Sequence, residues 1–147
     1  MDRKIKTSYW LLGLVILLIS LWLIFFSNQA PEIRNRDSRG TSIVAFGDSL
    51  VQGVGASENH DFVSLLSAKI KQPISNLGVS GNTTADGLAR IEQVLATQPD
   101  IKLVILLLGG NDYLKRLPVT ETFQNLEQIV SRIQESGAMV LLLGIRG

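Results

Sequence analysis

Residues 103 to 108, Leu103-Val104-Ile105-Leu106-Leu107-Leu108, are six consecutive apolar positions closed off by Gly109 and Gly110. A strand points successive side chains to opposite faces, so an unbroken apolar run of this length is buried on both. That is the condition of a central strand in a parallel sheet with helices on each side. Ile43-Val44-Ala45-Phe46, stopped by Gly47, has the same character, and residues 74–77 and 138–143 supply two further strands. The intervening segments carry helical periodicity. Phe62, Leu65, Leu66 and Ile70 form one stripe, after a polar loop over 51–61; Leu88, Ile91 and Leu95 share a face of a helix predicted over 84–97, which Pro99 ends. A last helix starts near Thr120, turns Phe123, Leu126, Val130 and Ile133 inward, and stops before Gly137, a C′ glycine. The order βαβαβαβ predicts an α/β fold: a three-layer α/β/α sandwich on a parallel, flavodoxin-like sheet that stops after its fourth strand. Residues 42–147 are enough for one modest core.

The first forty residues are of another kind. From Tyr9 to Phe26 there are 18 residues without a charge, about 27 Å of helix, close to the roughly 30 Å hydrocarbon core of a bilayer. Arg3, Lys4 and Lys6 form a basic flank before it, and Tyr9 and Trp10 suit the interface. A cleavable signal peptide has a shorter apolar region and a small-x-small site, of which Asn28-Gln29-Ala30 is a poor version. A buried core helix is disfavoured, because so small a domain cannot cover a helix that is apolar on every side. The expectation is therefore a short basic tail over 1–8, an uncleaved transmembrane signal anchor over 9–26, a tether over 27–41 and the α/β domain over 42–147. Basic residues on the two sides of the span tie, with Arg34, Arg36 and Arg39 after it. The short N-terminal tail favours an exported domain, periplasmic or extracellular.

Three of the strands run into polar turns: Gly47-Asp48-Ser49-Leu50 after the first, Gly78-Val79-Ser80-Gly81-Asn82-Thr83-Thr84 after the second, and Gly109-Gly110-Asn111-Asp112 after the third. Ligand crevices of open α/β sheets lie outside the carboxyl ends of the strands. Singly, each residue has a bland use: Ser49 as a turn or cap residue, Gly81 as a turn glycine with positive φ, Asn111 as a capping or Asx-turn residue. Jointly, and in this order, the three blocks resemble those of the SGNH (GDSL) hydrolases, in particular the small bacterial thioesterase, lysophospholipase and arylesterase branch, over roughly residues 42–147. The resemblance implies Ser49 as the catalytic serine and Gly81 and Asn111 as oxyanion-hole residues. The chemistry agrees: acyl transfer needs a nucleophile and donors aimed at the developing oxyanion, and the Ser49 N–H, the Gly81 N–H and the Asn111 amide can supply them. Gly47, Asp48 and Asp112 read as structural support, the two acids holding loops through backbone hydrogen bonds, and Gly78 as a tight-turn residue. A membrane-anchored serine ester hydrolase acting on a small acyl ester or thioester is the function this reading expects.

One block of the pattern has no counterpart. The family's Asp-x-x-His supplies the general base and its orienting carboxylate, but no Asp follows Asp112 and no His follows His60, which reads as an exposed loop residue. The 147 residues by themselves are therefore expected to be inactive, and the competing reading is a non-catalytic, shortened α/β module that binds an acyl or glycan ligand or a protein partner. Residues 41–147 hold eight Lys and Arg against ten Asp and Glu, so no basic nucleic-acid footprint is present. There is no GxxxxGK[ST] loop and no dinucleotide fingerprint. With one histidine and no cysteine, neither a metal site nor a cofactor is expected.

Overall fold

The structure is a computed structural model that describes residues 13–23, 32–98 and 100–144. The chain divides into two units, Met1–Glu32 and Ile33–Gly147. In the first, residues 13–23 are helical, with apolar side chains about half exposed. Among the described residues no helix is long and apolar enough to cross a membrane. The expected span over 9–26 takes in residues 9–12 and 24–26, which lie outside the described ones.

The second unit is built on four parallel strands, β1 (Ser42–Gly47), β2 (Ile74–Gly78), β3 (Ile101–Leu107) and β4 (Met139–Leu142), in the order β2-β1-β3-β4. Helices α1 (Ser49–Gln52) and α2 (Phe62–Ile70) join β1 to β2, and α3 (Thr84–Thr97) joins β2 to β3. Helices α4 (Gly110–Leu114) and α5 (Val119–Glu135) join β3 to β4. Strand alternation sorts the core into two layers. Val44, Phe46, Val104 and Leu106 face Ile91 and Val94 of α3 and Ile129 and Ile133 of α5. Ile43, Ala45, Ile105 and Leu107 face Val51 of α1 and Val63 of α2. Phe46, Ile91, Ile129 and Ile133 are fully buried, each contributing about 1.5–3 kcal/mol of transfer free energy.

The same sorting creates the crevice. The chain leaves β1 toward one face of the sheet and leaves the neighbouring β3 toward the other, so their following loops diverge, as at any topological switch point. The strands also end level: Gly47 stands opposite Gly78 on one side and Leu107 on the other.

Several details depart from the sequence reading. The polar loop expected over 51–61 begins with α1, whose Val51 is fully buried. Helix α4 was not expected either. Elements of four and five residues are too short to show a period. In α2 the inward residue is Val63, with Phe62 and Leu66 beside it, while Leu65 and Ile70 are exposed. In α5 the stripe is Leu126, Ile129, Val130 and Ile133, and Phe123 is 62% exposed, because it stands one turn before the part of the helix that covers the sheet. From Ile33 on, the segment read as a tether also packs on the domain: Asn35, with φ of +61°, donates through Nδ2 to the carbonyls of Gln134 (2.6 Å) and Ala138 (2.9 Å).

Candidate active site

Gly47, Asp48 and Ser49 make the passage from β1 into α1. A Cβ on Gly47 would lie 2.2 Å from the Leu107 carbonyl oxygen and 2.4 Å from Val51 Cγ2, so only glycine lets the chain pass between β3 and the new helix. Asp48 is buried, and its Oδ1 accepts the Leu50 N–H at 3.0 Å, capping α1. Ser49 is the first residue of α1 and half-buried. Its hydroxyl makes no hydrogen bond among the described residues.

The turn after β2 is laid directly against this passage. Val79 donates its N–H to the Gly47 carbonyl (3.0 Å), and Asn82 closes the turn onto the Val79 carbonyl (3.2 Å). Gly81 sits inside the turn with φ of +81° and nothing within 4 Å of where a Cβ would be. Backbone conformation, rather than space, demands glycine there. Gly78 is different from the tight-turn residue expected: a Cβ on it would meet the Gln52 backbone nitrogen at 2.1 Å, so it is a point of close approach between β2 and α1. Asn76 and Gln52 tie that approach. Asn76 donates to the Val51 carbonyl (2.7 Å), and Gln52 Oε1 accepts the Ser80 N–H (2.7 Å).

After β3 the chain turns through Gly109, at φ of +112°, into α4. Asn111 Nδ2 donates to the Asn82 carbonyl at 2.9 Å, which joins this loop to the Gly81 turn and leaves a second amide N–H available. Asp112 is buried and works beneath the surface of the site. It accepts the Thr84 N–H at 2.9 Å, the Thr84 hydroxyl, and the Thr122 hydroxyl at 3.4 Å, so it holds the starts of α3 and α5 to α4. Lys115 Nζ donates to the Gly81 carbonyl (3.2 Å).

Arg90 is the site-region residue that sequence reasoning passed over. Its Nε–H donates to Asn82 Oδ1 and an Nη2–H to the Gly47 carbonyl, both at 2.8 Å, with the guanidinium 3.9 Å from the centre of the Phe46 ring. Burial pushes its pKa down from the ordinary value and Asp86 acts in the opposite sense; the group remains a cation. A signal was present in the sequence: Arg90 lies three residues after Gly87 and four before Val94, a charge on the edge of the buried stripe of α3. His60, by contrast, is in an exposed loop and donates from Nδ1 to the Glu58 carbonyl (2.8 Å). Among the described residues no three His, Asp or Glu side chains gather where they could hold a metal ion.

An apolar cavity of about 680 Å³ opens beside this loop, between Gly109, Tyr113, Phe123, Leu126 and the end of β4 at Leu142. A serine, a positive-φ glycine and an asparagine on the loops of three adjacent strand ends, in a parallel α/β/α sandwich, define the chain as an SGNH-type hydrolase in architecture. It belongs to the GDSL-like lipase/acylhydrolase family, whose sequence model matches residues 45–147. It is 34% identical over 122 residues to Esterase TesA of Pseudomonas aeruginosa, covering 80% of this chain and 60% of that one. It is 33% identical over 138 residues to an arylesterase of Vibrio mimicus, covering 90% and 65%. Among solved structures, AlinE4, an SGNH-hydrolase family esterase, superposes with a TM-score of 0.68 at 42% identity, covering 75% of this chain and 62% of that one. The chain thus spans less than two thirds of the length of these relatives.

Proposed function

We propose that the protein hydrolyses small carboxylic esters or thioesters, with Ser49 as nucleophile and the Ser49 N–H, the Gly81 N–H and the Asn111 amide as donors to the oxyanion. The observation that carries this reading is the direct tie between the loops: Asn111 Nδ2 on the Asn82 carbonyl, and Val79 N–H on the Gly47 carbonyl, hold three strand ends around one hydroxyl. The esterase and arylesterase names of the relatives support the reaction class. The apolar cavity beside Gly109 suits the hydrocarbon part of an acyl substrate.

In this mechanism the Ser49 oxygen adds to the substrate carbonyl carbon while its proton passes to an imidazole. The carbonyl oxygen takes the electron pair and is held by the donors, and collapse expels the alcohol or thiol to leave an acyl-serine that water hydrolyses. A serine hydroxyl is a weak nucleophile without a base, and the family resemblance implies that an Asp-x-x-His block provides one. Activity is therefore to be measured on a chain that carries such a block together with these residues. There, Ser49→Ala is expected to abolish turnover, and Asn111→Ala to lower kcat by about 10² to 10³ with the protein still folded. Wild-type kcat in both variants would exclude the assignment. We also propose that residues 9–26 anchor the protein in a membrane with the hydrolase domain exported, a reading supported by the uncharged run and its basic flank.

A further inference from the structure

We infer that Arg90 is a positioning residue for the oxyanion hole: from α3 it fixes the Gly81–Asn82 turn to the end of β1, and so sets where the Gly81 N–H points relative to Ser49. The inference rests on the reading that Ser49 and Gly81 act together.

Gly81 cannot be held by packing, since it has no side chain and no neighbour around its Cβ position. Hydrogen bonds must hold its turn instead. On the β3 side these come from Asn111, on the Asn82 carbonyl, and Lys115, on the Gly81 carbonyl. On the α1 side Gln52 Oε1 accepts the Ser80 N–H. To the end of β1 itself, Arg90 is the side chain that bridges the two loops among the described residues: Nε–H on Asn82 Oδ1, the residue after Gly81, and Nη2–H on the carbonyl of Gly47, two residues before Ser49. The Gly47 carbonyl already accepts the Val79 N–H from the start of the same turn. One rigid planar group thus holds the far end of the turn to the strand end that its near end already touches.

Two features make the arrangement specific to arginine. The guanidinium presents donors on two different nitrogens at fixed angles, whereas a lysine ammonium is a point charge on a flexible stem. Its plane also lies over the Phe46 ring, which fixes it from below and adds a cation–π contact in a partly desolvated setting. Arg90→Lys therefore keeps the charge and loses the geometry. Because donors act on the transition state within a few tenths of an ångström, a mis-aimed Gly81 N–H lowers kcat more than it changes substrate binding.

The test compares wild type, Arg90→Lys and Arg90→Met in a chain that carries an Asp-x-x-His block together with these residues. Expected in both variants is a fall in kcat for a short-chain p-nitrophenyl ester of about 10-fold to 10²-fold, short of the 10² to 10³ for outright loss of a donor. KM should move by less than about threefold, and phosphonylation of Ser49 by a p-nitrophenyl phosphonate should slow in step with kcat. Added methylguanidinium should restore part of the rate to Arg90→Met and none to Arg90→Lys. A folded Arg90→Lys with kcat and phosphonylation within about twofold of wild type overturns the inference and leaves Arg90 a stabilising residue only. Wild-type protein that neither turns over nor is phosphonylated at Ser49 defeats the reading of the site instead. In that event the amide resonances decide for Arg90: Gly81 and Asn82 shifts unchanged by Arg90→Lys overturn the positioning role, and shifts confined to the Gly81 turn and the end of β1 uphold it.

Discussion

Gly81 has room for a side chain but not the backbone for one. At φ of +81°, with nothing within 4 Å of its Cβ position, an alanine there costs about 1–2 kcal/mol of backbone strain. In the proposed site, rotation of the open turn to relieve that strain re-aims the Gly81 N–H. Gly81→Ala is expected to lose no more than about 2 kcal/mol of stability by denaturant titration, while kcat falls by about 10². An alanine variant with wild-type kcat would show that this N–H is not a donor. Gly47 and Gly78 predict the reverse pattern, since any side chain there meets backbone at 2.2 Å and 2.1 Å and damages folding first. At this scale the proposed site residues stand out in the sequence because each lies in a polar turn that follows a strand-like segment, apolar throughout before Ser49 and Asn111 and mixed before Gly81. Arg90 does not, because its partner Gly47 is 43 positions away and no local pattern connects them.

Helix α3 shows what a local signal can and cannot carry. Thr83 and Asp86 form a reciprocal capping box, Asp86 accepting the Thr83 N–H (2.9 Å) and hydroxyl (2.8 Å) while the Thr83 hydroxyl accepts the Asp86 N–H (3.3 Å). The Thr83 N–H and then its hydroxyl hold the Asp86 carboxyl below its ordinary pKa of 3.8. A depressed folded-state pKa stabilises the fold above the unfolded value and ceases to do so as pH falls through the folded one. The stability difference between wild type and Asp86→Asn should therefore be constant from neutral pH down to about pH 5 and shrink below about pH 4. A difference that does not change between pH 7 and pH 2 would contradict the capping role. With such a cap at one end and Pro99 beyond the other, the helix over 84–97 was readable from sequence. Helices α1 and α4 were not, for they exist by virtue of Asp48, Gly109 and the loops they lean on, not of any period. Phe123 misled for a related reason: helical spacing gives a face, but only the length of the sheet beneath decides where along that face burial stops.

For the molecule as a whole, the order β2-β1-β3-β4 brings residues 49, 81 and 111 to one crevice although they are spread over more than sixty positions. Connection rules made the parallel, three-layer architecture foreseeable; the ties that close the crevice needed the structure. The N-terminal unit adds a separate prediction. If residues 9–26 are retained as an anchor, protein from native cells stays in the membrane pellet through alkaline carbonate extraction, and a form beginning at Pro31 is released. Mature protein in the soluble fraction with its N-terminus near Pro31 would contradict it. The central claim, that Ser49 is a nucleophile served by the ends of three strands, is tested most directly by peptide mapping after reaction with a p-nitrophenyl phosphonate. A chain carrying an Asp-x-x-His block together with these residues should take up one phosphonyl group per molecule on Ser49, with turnover lost in proportion. A label on another residue, or esterase turnover that survives in Ser49→Ala, would contradict the account.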